Sequence, residues 1–160
     1  MAPMKIDDMM ETWERRLLSA GEIAFGRLVF GGEIAWPKIQ VLQAPRLGFA
    51  AMVPLGRTIV FSKWRAWRDF AAAPIEEQAW VVHELMHVWQ AARGVVLAGA
   101  QLGALGNGAY VYKPIVGAKL ANYNIESQAE IARHLFLARA GALAEGGPPR
   151  TWLEDIWAGR

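Results

Sequence analysis

Two of the three histidines in the chain stand four residues apart, on either side of a glutamate, in the sequence AWVVHELMHVWQ. Apart from these three residues, positions 79–89 are uncharged, rich in large apolar side chains and free of proline. Such a segment predicts a helix that is buried on most sides. Because buried imidazole and carboxylate groups need partners, this helix must pack against an element that supplies them.

A metal ion is the partner that the spacing fits best. Residues four apart share one face of a helix, so His83 and His87 can bind one Zn²⁺ through nitrogens about 2.0–2.1 Å away. Glu84, one step round the helix, cannot join them but can face a water molecule on the metal. Zinc lowers the pKa of that water, and Glu84 could act as the general base. The alternative is a core helix with two hydrogen-bonded histidines.

Few residues could supply the third ligand. Glu126 and Glu130 lie one turn apart on a second predicted helix, and His134 is the only other histidine in the chain. Glu126 is the candidate ligand, and Glu130 could accept a hydrogen bond from a ligand imidazole. His134 lies about 12 Å beyond Glu126 along the axis, so Glu130 with His134 is an alternative pair. A solvated helix face is the other interpretation of these acids.

A hydrolase of this type also needs a donor for the oxyanion that develops on its substrate. The three tyrosines, Tyr110, Tyr112 and Tyr123, all lie between the two predicted metal-binding helices. Tyr123 precedes Glu126 by three residues and is the candidate catalytic tyrosine. The alternative for each tyrosine is a ring packed on the core with its hydroxyl at the surface.

The other patterns predict an α+β fold that is mainly helical, with a small sheet and the metal site between two helices. The sequences Ser19-x-x-Glu22 and Thr151-x-x-Glu154 are typical of capping boxes that begin helices. The predicted elements are a helix before Ser19, a helix ending at Gly31-Gly32, strands at residues 38–42 and 57–62, helices at residues 74–93 and 123–140, and a short terminal helix. Residues 94–120 are predicted to form a long connection with a hairpin.

The size and composition of the chain indicate one domain over residues 1–160, with a helical extension at residues 1–18 and a short helix within residues 147–160. A net charge of +2 and the absence of cysteine argue against nucleic-acid binding and against a disulfide scaffold. We find no signal peptide, and the apolar run at residues 94–105 is too short to span a membrane. A cytoplasmic protein is expected, although a dedicated secretion machine could export it without a cleaved signal.

The motif His83-Glu84-Leu-Met-His87-Val-Trp-Gln90, followed by Glu126-Ser-Gln-Ala-Glu130, resembles the gluzincin pattern of zinc metallopeptidases. More closely, residues 19–136 resemble Vgr-related, zincin-like bacterial proteins of contractile injection and type VI secretion systems, and the peptidase-like core domain of such systems. The matching positions include Gly21-Glu22-Ile-Ala, Thr58-Ile-Val-Phe61 and Tyr123-Asn124-Ile-Glu126.

This resemblance implies a zincin-like fold with one Zn²⁺ held by His83, His87 and Glu126. It implies that Glu84 is the general base and that Glu130 lies behind the ligands. His134 stands where the closer relatives are expected to carry an acid, and it is a second candidate for a place behind the ligands. The expected function is hydrolysis of a peptide or protein substrate, with secretion-system or effector proteins as partners. The alternative is an inactive zinc-binding module that docks on the secretion machine. By analogy, residues 58–61 are expected to be the edge strand that binds extended substrate.

Overall fold

The computed structural model describes residues 5–45, 51–97 and 108–160, and these ranges contain four helices and one four-stranded sheet. The predicted α+β class is therefore confirmed. The helices are α1 (Ala20–Phe30), α2 (Ile75–Ala92), α3 (Ile125–Arg139) and α4 (Arg150–Ala158), and the strands are β1 (Arg15–Leu17), β2 (Gln40–Ala44), β3 (Ala51–Met52) and β4 (Thr58–Ser62).

The sheet has the strand order β1-β2-β4-β3. Strands β2 and β4 are parallel, with Val41 opposite Ile59, whereas β1 and β3 are antiparallel to their neighbours. The expectation that residues 58–61 form an edge strand is wrong for Val60 and Phe61, because β3 pairs with them on the side away from β2. Strand β3 is thus the edge that could accept an extended chain.

The segment before Ser19 is not the predicted helix in its described part. Residues Ile6–Asp8 form one 3₁₀ turn, Trp13 adopts a left-handed backbone conformation with φ of 67°, and β1 follows. The amide of Trp13 donates to the carbonyl of Gln43 at 2.9 Å, so pairing with β2 outweighs the helical preference of this segment.

Helix α1 begins with the predicted capping box. The hydroxyl of Ser19 accepts from the amide of Glu22 at 3.1 Å, and the Glu22 carboxylate accepts from the amide of Ser19 at 2.8 Å. The predicted box at Thr151 is wrong, because α4 begins at Arg150 and its N-cap is Pro149, two residues before the predicted cap. Thr151 already has helical backbone there and cannot cap the helix.

Helices α2 and α3 pack against each other and carry the candidate site. Both lie within two residues of their predicted ends. Ala79 and Ala129 are fully buried, and small side chains of this kind allow close approach of two helices. The side chain of Asn124 caps α3 by accepting from the amide of Ser127 at 2.8 Å. This packing directs the polar face of α3 toward the histidines of α2.

Two further expectations concern the connection and the membrane. Of the long connection with a hairpin predicted at residues 94–120, residues 98–107 lie outside the described residues, and the described residues 94–97 and 108–120 contain turns but no strand. Among the helices of the described ranges, none has the length and apolar character that crossing a membrane requires.

Candidate metal centre

Three potential ligand atoms from α2 and α3 converge in the interior of the protein. The Oε2 atom of Glu126 lies 3.2 Å from Nε2 of His83 and 3.4 Å from Nε2 of His87. All three residues are at most 5% exposed. Ligands at about 2.0–2.1 Å from a tetrahedral ion are roughly 3.3 Å apart. This buried group therefore has the spacing that could hold a metal ion.

The other ring nitrogens of the two histidines have their own partners. The Nδ1 atom of His83 lies 2.8 Å from Oε1 of Glu130, and Nδ1 of His87 lies 2.9 Å from Oε1 of Gln90. Since carboxylate and amide oxygens accept hydrogen bonds, each Nδ1 is the donor. When both rings are neutral, the lone pair of each Nε2 atom therefore faces the Glu126 carboxylate. Because these atoms repel one another, a cation between them would stabilise the group.

The ionisation of the group reflects the same need for positive charge. Burial lowers the pKa of His83, but its hydrogen bonds to Glu126 and Glu130 outweigh burial and raise the pKa to about 9. Burial raises the pKa of Glu126, yet the hydrogen bonds with His83 and His87 lower it to about 2. In the metal-free protein a proton on His83 balances the carboxylates, and a metal ion would replace it.

Glu84 lies in the same buried region without a partner for one of its oxygens. Its side chain is 4% exposed, and its Oε2 atom has no hydrogen-bond partner among the described residues. Burial raises the pKa of Glu84, although the nearby His83 and His87 oppose that effect. An unsatisfied buried carboxylate oxygen is rare in folded proteins, and such an oxygen could accept a proton.

Gln90 fixes the second histidine and was not predicted as a site residue. Its carbonyl oxygen accepts from His87, while its amide nitrogen donates to the carbonyl of Ile125 at 3.1 Å and to Oε1 of Gln128 at 2.9 Å. The side chain is 1% exposed and links α2 to the first turn of α3. The signal available in the sequence was its position three residues after His87, on the same helix face.

Glu130 lies behind His83 as expected, whereas His134 is not part of the group that could hold a metal ion. The Nδ1 atom of His134 lies 2.6 Å from the hydroxyl of Tyr112, and burial lowers the pKa of His134. His134 instead lines a cavity of about 340 Å³ together with Tyr110 and Tyr112. The alternative pair of Glu130 and His134 is thus not assembled as a ligand set in the described structure.

The hydroxyl of Tyr123 is hydrogen-bonded outside the ligand group, and a different tyrosine, Tyr110, lies next to that group. The hydroxyl of Tyr123 donates to the carbonyl of Lys113 at 2.8 Å, because Tyr123 precedes the cap of α3 and is outside the helix. The ring of Tyr110 stacks on His83 with centroids 5.9 Å apart. Burial and the nearby carboxylates, Glu126 first among them, raise the pKa of Tyr110.

Comparison with known proteins identifies relatives of one kind. The chain is 32% identical over 134 residues to the type VI secretion system spike protein VgrG2b of Pseudomonas aeruginosa, an alignment that covers 78% of this chain and 13% of the spike protein. The chain thus spans a small part of that relative. No family model matches the chain.

A solved structure gives the same result in three dimensions. The fold is similar to the effector domain of Pseudomonas aeruginosa VgrG2b, with a TM-score of 0.66 and 27% identity over 96% of this chain and 88% of that domain. The chain is therefore homologous to this effector domain, and the predicted association with Vgr-related proteins is confirmed.

Proposed function

We propose that the chain is a zinc-dependent peptidase with a zincin-like fold that serves as a secretion-system effector. One observation carries this proposal. Two imidazole nitrogens and one carboxylate oxygen converge at tetrahedral spacing, beside a buried glutamate with an unpaired oxygen. Two histidines and one carboxylate leave the fourth position of a zinc ion open, which is typical of catalytic rather than structural sites.

The residues of the chain have separate roles in this proposal. His83, His87 and Glu126 hold the ion, while Glu130 and Gln90 fix the two rings by accepting from Nδ1. Zinc, when bound, lowers the pKa of a water molecule and polarises a peptide carbonyl. We infer that a single ion is bound, because the three ligand atoms form one compact group.

Glu84 is the general base in this scheme. Its buried carboxylate accepts a proton from the attacking water and returns it to the leaving amine. The raised pKa of Glu84, which burial causes, favours this exchange because the group can hold the proton between the two steps. A buried glutamate with no catalytic role would be expected to have a hydrogen-bond partner for each oxygen.

Tyr110 replaces Tyr123 as the proposed donor to the developing oxyanion. Its ring stacks on His83 and the residue is half-exposed, so its hydroxyl lies where the buried site meets the surface. A neutral phenol is required for donation, and the raised pKa of Tyr110 keeps it protonated. The hydroxyl of Tyr123 is already used by Lys113.

The proposed substrate is a peptide or protein, and the proposed partners are components of a secretion system. The homologous solved domain is described as an effector domain, and the longer relative as a spike protein. We propose that this chain is made in the cytoplasm and delivered by a secretion system. The weak net charge of +2 gives no support for nucleic acid as a substrate.

A second candidate function is a catalytically inactive zinc-binding module that docks on the secretion machine or its effectors. The observation that favours it is the burial of the site. Glu84 and Glu126 are about 5% exposed or less, and Tyr110 stacks against His83. A substrate would have to displace neighbouring residues to reach these groups, whereas a stabilising ion would not need access.

Two substitutions separate these functions. Purified protein, loaded with zinc, is incubated with a library of peptides and cleavage is followed by mass spectrometry. Glu84→Gln is expected to abolish cleavage while zinc content stays at one ion per chain. Glu77→Gln is the matched control, because it makes the same change on the same helix at a surface ion pair with Arg65. If Glu84→Gln cleaves as the wild type does, the peptidase mechanism is wrong.

A further inference from the structure

We propose that Arg133 is a positioning residue of the metal centre, which holds Glu130 so that Glu130 orients His83 toward the ion. This inference rests on the proposed metal site and extends it by one residue. Arg133 lies on α3, one turn after Glu130, and sequence patterns alone assigned it no role.

The two oxygens of Glu130 are divided between the metal ligand and Arg133. Oε1 accepts from Nδ1 of His83 at 2.8 Å, and Oε2 accepts from Nη1 of Arg133 at 3.1 Å. Glu130 is 6% exposed, so water can do little to replace either contact. A carboxylate held on both sides has one orientation, and that orientation aims the Nδ1–H of His83 away from the ion and its Nε2 toward it.

Arg133 is itself fixed by two contacts to helix α2. Its Nη2 atom donates to Oε2 of Glu76 at 2.9 Å, and its guanidinium lies over the ring of Trp80, 4.8 Å from the centroid. The ring of Trp80 is in turn 5.2 Å from that of His83. Arg133 therefore connects the first turn of α2 to the residue behind the ligand, and its planar fork suits two carboxylates at once.

Charge gives the second part of the role. The Nη1 atom of Arg133 lies 3.1 Å from Oε2 of Glu130, so a permanent positive charge faces the carboxylate. An ionised Glu130 increases the electron density on the His83 ring and strengthens its bond to a metal. Arg133 supplies a positive charge that does not depend on pH in the ordinary range.

The side chain of Arg133 is not fully hydrogen-bonded, so its replacement is expected to be tolerated by the fold. Its Nε atom is buried and has no hydrogen-bond partner among residues 5–45, 51–97 and 108–160, and an unsatisfied buried donor is destabilising. Replacement by methionine removes this donor, which offsets part of the lost ion pairs. Arg133→Met is therefore expected to fold, and its effect can be measured on the metal site itself.

The test measures the affinity of the full chain for zinc by competition with a chromophoric chelator. Arg133→Met is expected to weaken zinc binding by about tenfold, the low end of the effect of residues behind metal ligands. Arg133→Lys keeps the positive charge but loses the planar guanidinium. Its zinc affinity is expected to lie between that of the wild type and that of Arg133→Met. Arg139→Met is the matched control, since Arg139 is on the same helix and pairs with Glu154, remote from the metal centre.

A double-mutant cycle with Glu130→Gln asks whether Arg133 acts through Glu130. When Glu130 has already lost its charge, adding Arg133→Met is expected to weaken zinc binding by less than about twofold, because the two residues act as one unit. Full additivity of the two effects would contradict the inference. The absorption spectrum of bound Co²⁺ gives an independent readout, and Arg133→Met is expected to change it while Arg139→Met leaves it unchanged.

The outcomes distinguish this inference from the proposed function. If the wild type binds zinc and Arg133→Met binds it equally well, the positioning role is overturned while the metal site stands. An equal loss of affinity in Arg139→Met also overturns the role, because the effect would then be general. A wild-type protein that binds no zinc contradicts the metal site, and the inference falls with it.

Discussion

Two substitutions of Gln90 are expected to differ in their effects on zinc affinity and on the free energy of unfolding. Gln90 accepts from Nδ1 of His87 at 2.9 Å and donates to Ile125 and Gln128 on α3. Gln90→Ala removes all three hydrogen bonds at a site that is 1% exposed. At about 1 kcal/mol for each bond, the free energy of unfolding is expected to fall by roughly 3 kcal/mol.

The same substitution leaves the Nδ1–H of His87 without an acceptor, so the ring loses its fixed orientation. Zinc affinity is expected to fall by about 10- to 100-fold. Gln90→Glu has a different expected effect, because it keeps an acceptor for His87 while it removes the amide donor to Ile125. This variant should lose stability and retain zinc affinity within about threefold, since the acceptor that supports the ligand remains.

Denaturant unfolding of the metal-free proteins and chelator competition measure the two quantities separately. Gln78→Ala is the matched control, because Gln78 is on the same helix and its amide donates to the carbonyls of Ala71 and Ala73 without touching a histidine. It should lose stability with unchanged zinc affinity. The reasoning is refuted if Gln90→Ala binds zinc as tightly as Gln78→Ala does.

Three further predictions address the site and the fold. Because the pKa of His83 is raised to about 9, zinc must displace a proton from His83 below that pH. The affinity for zinc, measured by chelator competition, should therefore fall by about tenfold per pH unit below 9. An affinity that does not change with pH would contradict this. Tyr110→Phe should lower peptide cleavage by about 10²- to 10³-fold with zinc retained, and equal loss in Tyr123→Phe would disprove the assignment. Glu22→Ala, which breaks the buried pair with Arg16, should lower the free energy of unfolding by about 3–5 kcal/mol, and a loss below 1 kcal/mol would show that the pair is not structural.

The features that the sequence predicted best are those set by local spacing. Residues four apart share a helix face, so the pairing of His83 with His87 follows from the helix alone. Glu126 needed one further assumption, that the second helix packs against the first with its acidic face inward. Ser19 and Glu22 could be assigned because a capping box is complete within four residues.

The features that were missed depend on which distant segments meet. Gln90 and Arg133 became recognisable when their partners on the opposite helix were known. Tyr123 was favoured for its closeness in sequence to Glu126, yet its place before the cap of α3 turns it toward Lys113. The helix predicted before Ser19 is wrong because the pairing of β1 with β2 is a long-range contact that overrides local preference.

The most direct test of the metal centre is anomalous X-ray diffraction at the zinc absorption edge, on crystals of protein purified in zinc. The arrangement of ligand atoms predicts one strong peak, bonded to Nε2 of His83, Nε2 of His87 and Oε2 of Glu126 at about 2.0–2.2 Å. His83→Ala should abolish the peak, and His134→Ala should leave it in place. A wild-type map without a peak between these three atoms, or a zinc ion bound elsewhere, would contradict the proposed centre.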